Sequence, residues 1–136
     1  MKDKIFLDSN ILLYSYSQTE LDKNQIANAL IFSSRNTLVS NQVVNEVVNI
    51  LFKKFNLNAV DIENVILEID NNLDIINFSL TTQIKAIKIK EKYKLQYYDS
   101  LIIATALENY CTVLYSEDMQ HMQIIENQLT IINPFK

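Results

Sequence analysis

The chain has 136 residues, 49% of them apolar and 21% charged, which is ordinary for one soluble globular domain. Its net charge of −4 lacks the basic excess of a dedicated nucleic-acid binder, although a cluster of site carboxylates would lower the charge in the same way. One cysteine excludes an internal disulfide, and no apolar run approaches the roughly 18 residues of a membrane span. We therefore expect a single domain, 1–136, that is cytoplasmic and not bound to a membrane.

Apolar runs and helical periodicity predict the elements of the chain in order. These are a strand at 4–7, helices at 10–17 and 20–34, a strand at 37–40, helices at 41–55 and 59–71, a strand at 73–78, helices at 81–93 and 98–109, and strands at 112–115 and 129–132. Thr19 is placed to cap the second helix, and Ile84 and Ile87 are expected to face inward from helix 81–93.

Short apolar strands that alternate with helices indicate an α/β fold. The strands are continuously apolar, which is typical of a parallel sheet covered on both faces. We therefore predict a three-layer α/β/α domain around a mainly parallel sheet of about five strands. Helix 98–109 is apolar on nearly every side and should lie at the centre.

The sequence contains no glycine, so any position with positive φ must be filled by another residue. Asparagine and aspartate tolerate the left-handed region best, and we expect them at such positions. The many asparagines fit either this role or the base composition of an AT-rich genome.

Two carboxylates directly follow predicted strands, where sites in α/β sheets collect. Asp8 follows the first strand, and Asp118 follows the strand at 112–115 after Ser116 and Glu117. Each acid has a structural alternative, because Asp8 can cap the next helix and Asp118 can be a turn residue.

Two further acids lie on predicted helices. Asp99 begins the most apolar helix, where a buried charge needs a capping role, a partner or a cation. Glu46 lies on the polar side of helix 41–55 with Gln42, Asn45 and Asn49, and this side either faces water or lines a cleft. If the four acids share a cleft, they repel one another unless a cation is present, and oxygen ligands of this kind suit Mg²⁺ or Mn²⁺.

Four segments of the chain resemble the successive motifs of PIN-domain proteins, in the order and near the spacing of that family. They are the segments at 6–12, 40–47, 98–106 and 115–121. The resemblance covers essentially the whole chain and is closest to the small VapC-like toxins of prokaryotic toxin–antitoxin pairs.

The resemblance implies a divalent-metal-dependent ribonuclease whose metal-activated water attacks an RNA phosphodiester. Asp8 and Asp99 match the two aspartates that hold the metal most directly, Glu46 matches the acid on the helix after the second strand, and Asp118 matches the fourth acid. Asn10 and Ser116 match polar residues that support the site. The resemblance also implies a homodimer and, for a toxin, a protein antitoxin that fills the active-site groove.

Two details near the fourth acid are open in the sequence. Glu117 adjoins Asp118, so either can be the fourth acid. Relatives often carry glycine where this chain has Met122, which bears on the geometry of the local loop.

A lysine-rich helix precedes Asp99. Lys85, Lys88 and Lys92 share one helical face, which either contacts the RNA backbone or is simply solvated. Tyrosines at 93, 97 and 98 are candidates for stacking on RNA bases, or for packing in the core or a dimer interface.

Two other functions remain as alternatives. A non-catalytic module of the same fold would bind RNA or a protein and keep the acids without the activity. A phosphoryl-accepting receiver domain also places aspartates at strand ends, but it expects an acid pair near the N-terminus and a lysine after the last strand. Here Asp3 precedes the first strand and Pro134 follows the last.

Overall fold

The structure is a computed structural model that describes residues 3–33 and 36–136. The strands in these ranges are β1 (Ile5–Leu7), β2 (Thr37–Ser40), β3 (Asp74–Ile76), β4 (Val113–Tyr115), β5 (Ile124–Ile125) and β6 (Leu129–Ile132). The helices are α1 (Ser9–Tyr14), α2 (Leu21–Ser33), α3 (Asn41–Lys54), α4 (Ala59–Asn72), α5 (Leu80–Tyr93) and α6 (Tyr97–Glu108).

The strands form one sheet in the order β3-β2-β1-β4-β6-β5. All neighbours pair in parallel except β5 and β6, which are antiparallel. In the centre, Phe6 of β1 lies beside Leu38 of β2 on one side and Leu114 of β4 on the other. The predicted α/β fold with a mainly parallel sheet is therefore confirmed, and its five predicted strands are all present.

The sixth strand, β5, is absent from the sequence prediction. It is two residues long and joins β6 through a tight turn at Glu126 and Asn127, both of which have φ of 54°. Two successive residues with positive φ are typical of tight hairpin turns, whose sequence signal is a glycine-containing pair. This turn contains no glycine, so the signal is missing.

Helix α6 lies at the centre of the fold as predicted, with every residue from 100 to 107 buried. Its neighbour α5 packs through Thr82, Ala86 and Ile89, which recur at helical spacing and are buried. The prediction for Ile84 and Ile87 is wrong, because these side chains are 57% and 53% exposed.

Short polar side chains accept hydrogen bonds from backbone amides at the starts of helices. Ser40 at the end of β2 accepts from the Val43 amide, and Asn58 accepts from the Asp61 amide. The amide of Glu20, before α2, donates to Ser17 Oγ at 3.0 Å in the turn that leads into the helix, and the capping role of Thr19 stays a prediction. The last residue of the helix predicted at 20–34 lies outside the described residues.

The positive-φ positions differ from expectation. In the described part of the chain they are Asn56, Lys94, Tyr110, Met122, Glu126 and Asn127. Asparagine fills two of these six and aspartate none, so the expectation is only partly right. Within the same part of the chain, no helix has both the length and the apolar character needed to cross a membrane.

Candidate functional site

Neighbouring parallel strands bring the first and last acidic segments together. Because β1 and β4 are paired in register, Asp8 and Ser116 leave the sheet side by side, and the Asp8 amide donates to the Tyr115 carbonyl at 3.0 Å. Asp8 is only 5% exposed. One of its carboxylate oxygens accepts from the Ser9 amide at 2.7 Å, and the other accepts from Ser116 Oγ at 2.7 Å. Asp8 therefore caps α1 and also belongs to a polar cluster.

Asn10 and Ser116 tie the fourth acid to the first. The Asn10 amide nitrogen lies 3.1 Å from Asp118 Oδ2 and 3.4 Å from Asp8 Oδ2, and its oxygen accepts from the Glu117 amide. Ser116 Oγ, which donates to Asp8, also accepts from the Asp118 amide at 3.3 Å. Asn10 and Ser116 thus contact both Asp8 and Asp118, and their role in supporting a functional site stays a prediction.

Glu46 reaches the same cluster from α3, which begins directly after β2. Its Oε2 accepts from Ser9 Oγ at 2.9 Å, and its Oε1 accepts from Gln42 Nε2 at 3.3 Å. The sequence prediction missed Ser9 and passed over Gln42 as part of a polar stripe. Two signals were available: Ser9 adjoins Asp8, and Gln42 lies one helical turn before Glu46.

Asp99 is the third residue of α6 and is half-buried. The N-cap of this helix is Gln96, which makes no side-chain capping bond, so Asp99 does not have the capping role that was its structural alternative. Burial first, and then the charges of Asp118 and Glu46, raise its pKa above the usual value.

The carboxylates affect one another electrostatically. Burial is the largest influence on Asp8, and it raises the pKa to about 6 with help from the charges of Glu46 and Asp99 and against the hydrogen bonds from Ser116 and Ser9. The charges of Asp118 and Glu46 likewise raise the pKa of Asp99, so electrostatic repulsion connects all four predicted acids. We call these four acids the acid cluster. A proton or a cation would relieve the repulsion among them.

Glu117 points away from this cluster. It accepts from Tyr14 Oη at 2.5 Å and from Lys23 Nζ at 2.6 Å. Burial raises the pKa of Glu117, but the hydrogen bonds from Lys23 and Tyr14 outweigh it, and the net pKa is lowered. The structure therefore brings Asp118, and not Glu117, to the other acids.

The donor set fits a hard divalent cation. Every member is a carboxylate oxygen, which Mg²⁺ and Mn²⁺ favour, and the raised pKa of Asp8 is typical of a carboxylate whose charge is not balanced. The side chains are not gathered around a common point: among the described residues, no three acidic, histidine or cysteine side chains lie close enough together to hold an ion. The fit therefore rests on the chemistry of the donors.

The lysine face predicted on α5 does not line the cavities described here beside the acids. Lys92 forms an ion pair with Glu126 at 2.6 Å, and neither Lys85 nor Lys88 lines the cavities beside the acids. Contact of this face with RNA stays a prediction. By contrast, Lys94 lines a cavity of about 410 Å³ together with Asp99 and Asp118.

A second, larger cavity of about 710 Å³ adjoins the acids on the other side and shares Glu46 with them. Gln42 and Asn45 line it as well, so most of the polar side of α3 faces a cleft. The acids therefore border more than one open depression: one contains Lys94, and another is rich in amide side chains.

Comparisons with known proteins show which family model the chain matches. The model of the PIN domain family matches residues 5–125. A search of curated proteins gave no match.

Several solved structures share the fold. A toxin–antitoxin complex from Klebsiella pneumoniae is 20% identical with a TM-score of 0.72, over 96% of this chain and 97% of that one. VapBC2 from Rickettsia felis, bound to a DNA fragment from its promoter, is 17% identical with a TM-score of 0.68, over 93% and 96%. Mycobacterium tuberculosis VapC20, described as a sarcin-ricin loop cleaving toxin, is 11% identical with a TM-score of 0.67, over 81% and 86%.

Proposed function

Because the chain belongs to the PIN domain family, we propose that it is a divalent-metal-dependent endoribonuclease. The observation that carries the proposal is the hydrogen-bond network that links the buried Asp8 to Glu46 through Ser9 and to Asp118 through Ser116 and Asn10. The charges of Glu46 and Asp118 also raise the pKa of Asp99. Burying a carboxylate at a strand end costs free energy, and gathering others around it costs more, so a metal site explains an arrangement that stability alone does not favour.

The proposed roles follow from the contacts. Asp8, Glu46, Asp99 and Asp118 hold Mg²⁺ or Mn²⁺, whose chemistry when bound is to activate water and to neutralise charge at a phosphodiester. Ser116 and Ser9 orient Asp8 and Glu46 through hydrogen bonds of 2.7 and 2.9 Å. Asn10 holds the loop of Asp118 against α1. Lys94 supplies positive charge beside Asp99 and Asp118, where an RNA phosphate approaches.

We further propose that the chain is the toxin of a type II toxin–antitoxin pair, works as a cytoplasmic homodimer and is held inactive by a protein antitoxin. This part rests on analogy with the solved structures, one of which is described as a toxin–antitoxin complex and another as a sarcin-ricin loop cleaving toxin. The alternative is a non-catalytic module that binds RNA or protein.

The proposal is tested by cleavage of end-labelled total RNA by the purified chain in Mg²⁺, in Mn²⁺ and in EDTA. We expect cleavage that depends on the metal and that falls by more than about 100-fold in Asp8→Asn and in Asp99→Asn, since loss of a ligand should exceed the effect usual for a residue that only supports one. The matched control is Glu117→Gln, which removes a neighbouring carboxylate that points away from the cluster.

Three outcomes separate the alternatives. Metal-dependent cleavage that survives in Glu117→Gln and disappears in the two aspartate variants supports the enzyme. Full activity in Asp8→Asn or Asp99→Asn would contradict the proposed site. An absence of cleavage under every condition, with the protein freed of any bound inhibitor by denaturation and refolding, would favour the non-catalytic module.

A further inference from the structure

The larger cavity beside Glu46 has a composition that the proposed chemistry does not require. It opens between the start of α3, the loop after β3 and the start of α6. Five amide side chains and three aromatic rings supply most of its wall: Asn41, Gln42, Asn45, Asn77, Gln83, Phe78, Tyr97 and Tyr98. We call this cavity the amide pocket.

The charge of the amide pocket indicates the kind of ligand it suits. Of the described residues that line it, Glu46 is the one with a formal charge, and it lies at the edge shared with the acid cluster. The described lining contains no lysine or arginine, the side chains that usually hold a phosphate, and an anion next to Glu46 would be repelled. Neutral amides, which both donate and accept hydrogen bonds, instead match the edge of a nucleobase.

Tyr98 provides a flat surface at the mouth of this pocket. It is 67% exposed although it belongs to the most buried helix of the fold. Its carbonyl accepts from Gln42 Nε2 at 3.2 Å, and its ring meets the ring of Tyr97 edge to face with centroids 5.7 Å apart. A tyrosine that is held in place and left exposed is suited to stacking on an unpaired base.

Several amide side chains of the pocket are held in place by hydrogen bonds. The side-chain amide of Asn41 donates to Asn77 Oδ1, which links α3 to the loop after β3. Gln42 Nε2 donates hydrogen bonds to Glu46 Oε1 and to the Tyr98 carbonyl. The polar groups are therefore preorganised across three elements, which lowers the entropic cost of recognising a ligand.

We propose that the amide pocket receives one unpaired nucleobase of the RNA, next to the phosphodiester that is cut. The base stacks on Tyr98, and the amides of Asn45, Asn77 and Gln83 read its edge. Because Glu46 belongs to both the pocket and the acid cluster, the base lies beside the scissile phosphate, while the backbone continues toward Lys94. The inference rests on the proposed ribonuclease function and gives that function a source of sequence preference.

The test measures RNA binding without cleavage, so that it does not depend on the activity assay. The Asp99→Asn chain in Mg²⁺ serves as the parent, and fluorescence anisotropy follows two labelled 12-nucleotide single-stranded RNAs. One has a random sequence, and the other has the same ribose–phosphate backbone without bases. Tyr98→Ala, Tyr98→Phe and Asn45→Ala are added to the parent, and Tyr110→Ala, an exposed tyrosine outside the amide pocket, is the matched control.

We expect Tyr98→Ala to weaken binding of the base-containing RNA by about 5- to 100-fold, as loss of one stacked base usually does. Its affinity for the abasic RNA should not change, and Tyr98→Phe and Tyr110→Ala should match the parent. Oligo(A), oligo(C) and oligo(U) are measured in addition for Asn45→Ala, which should alter the order of the three affinities relative to the parent.

The proposal is overturned if Tyr98→Ala leaves the affinities for the base-containing and the abasic RNA unchanged, or weakens the two equally. It is also overturned if the parent does not prefer the RNA that carries bases. Unchanged RNA binding together with an altered oligomeric state of Tyr98→Ala would also overturn it, in favour of a contact between copies of the chain. Failure of the ribonuclease proposal is separate, because it is read from cleavage by the unmodified chain.

Discussion

At the scale of single residues, Asp8 shows how one side chain serves structure and site together. It caps α1 through the Ser9 amide and accepts from Ser116 across the sheet edge. Both bonds lower its pKa, yet burial and the neighbouring acids raise it further. The hydrogen bonds thus fix the orientation of the carboxylate without removing the cost of its charge, as a metal ligand requires.

This balance predicts a pH dependence of stability for the metal-free protein. The folded-state pKa of Asp8, about 6, lies above its ordinary value of 3.8. The stability that protonation of Asp8 gives to the folded state is therefore fully present below about pH 3.8 and is lost as the pH rises through 6. The difference between the two pKa values corresponds to about 3 kcal/mol of folding free energy. Asp99, whose pKa is also raised, adds a dependence of the same sign.

Urea unfolding in EDTA between pH 4 and pH 7 measures this dependence. The unmodified chain should lose stability toward pH 7, and Asp8→Asn should lose much less, because its amide does not titrate. Asp70→Asn, which replaces an exposed carboxylate on α4, is the control and should follow the unmodified chain. Equal pH slopes in Asp8→Asn and in the control would show that Asp8 does not carry this cost.

Sequence reasoning identified the acids but not all of their partners. Asp8 and Asp118 follow predicted strands, Asp99 and Glu46 were singled out on predicted helices, and the motif resemblance added supporting roles for Asn10 and Ser116. The choice between Glu117 and Asp118 depends on the direction of each side chain, which Lys23 and Tyr14 decide from another part of the chain. No local pattern contains that information.

At the scale of elements, predictions succeeded where the pattern was long and failed where it was short or two-sided. Helix α3 has a repeated apolar face and begins and ends within one residue of its predicted bounds. Strand β5 has two residues and a turn without glycine. On α5, apolar residues occupy two faces. The face with Thr82 and Ala86 packs against α6 because its side chains are small, and the face with Ile84 stays exposed.

The loop before β5 contains a backbone conformation that this sequence fills at a cost. Met122 has φ of 69°, its amide donates to the Ile131 carbonyl at 2.7 Å, and its side chain is 58% exposed. A residue with a Cβ pays roughly 1–2 kcal/mol in the left-handed region, and glycine avoids this cost but gains freedom in the unfolded chain.

We therefore expect Met122→Gly to be more stable than Met122→Ala by about 1 kcal/mol. The alanine variant is the matched control, because it removes the same exposed side chain and keeps the Cβ. Thermal and urea unfolding of the two variants give the comparison. If alanine were as stable as glycine, the positive φ would not be a strained feature of this loop.

At the scale of the whole molecule, the candidate site exists only after the sheet has formed. Its acids come from four segments between residues 8 and 118, and β1 pairs with β4 although more than 100 residues separate them. The strand order that joins them follows from the packing of all the elements. Sequence patterns identified every strand of the described chain except β5, and only the motif resemblance indicated that all four acids converge.

The proposed homodimer is also a property at this scale, and α5 offers an apolar surface for it. Leu80, Ile84 and Ile87 recur at helical spacing on the side away from α6, and all three are more than half exposed. A contiguous apolar stripe of this kind usually marks an interface, and in a two-fold dimer the same stripe meets its own copy.

Substituting charge on this stripe should separate the copies. We expect the unmodified chain to elute as a dimer in light-scattering chromatography, and Ile84→Glu with Ile87→Glu to elute as a folded monomer, because two like-charged stripes repel and cannot be desolvated. Leu21→Glu, an exposed leucine on α2, is the matched control and should leave the mass unchanged. A monomeric unmodified chain would contradict the dimer. A dimer that persists in the α5 variant would place the interface on another surface, and the circular dichroism spectrum of that variant establishes that it has folded.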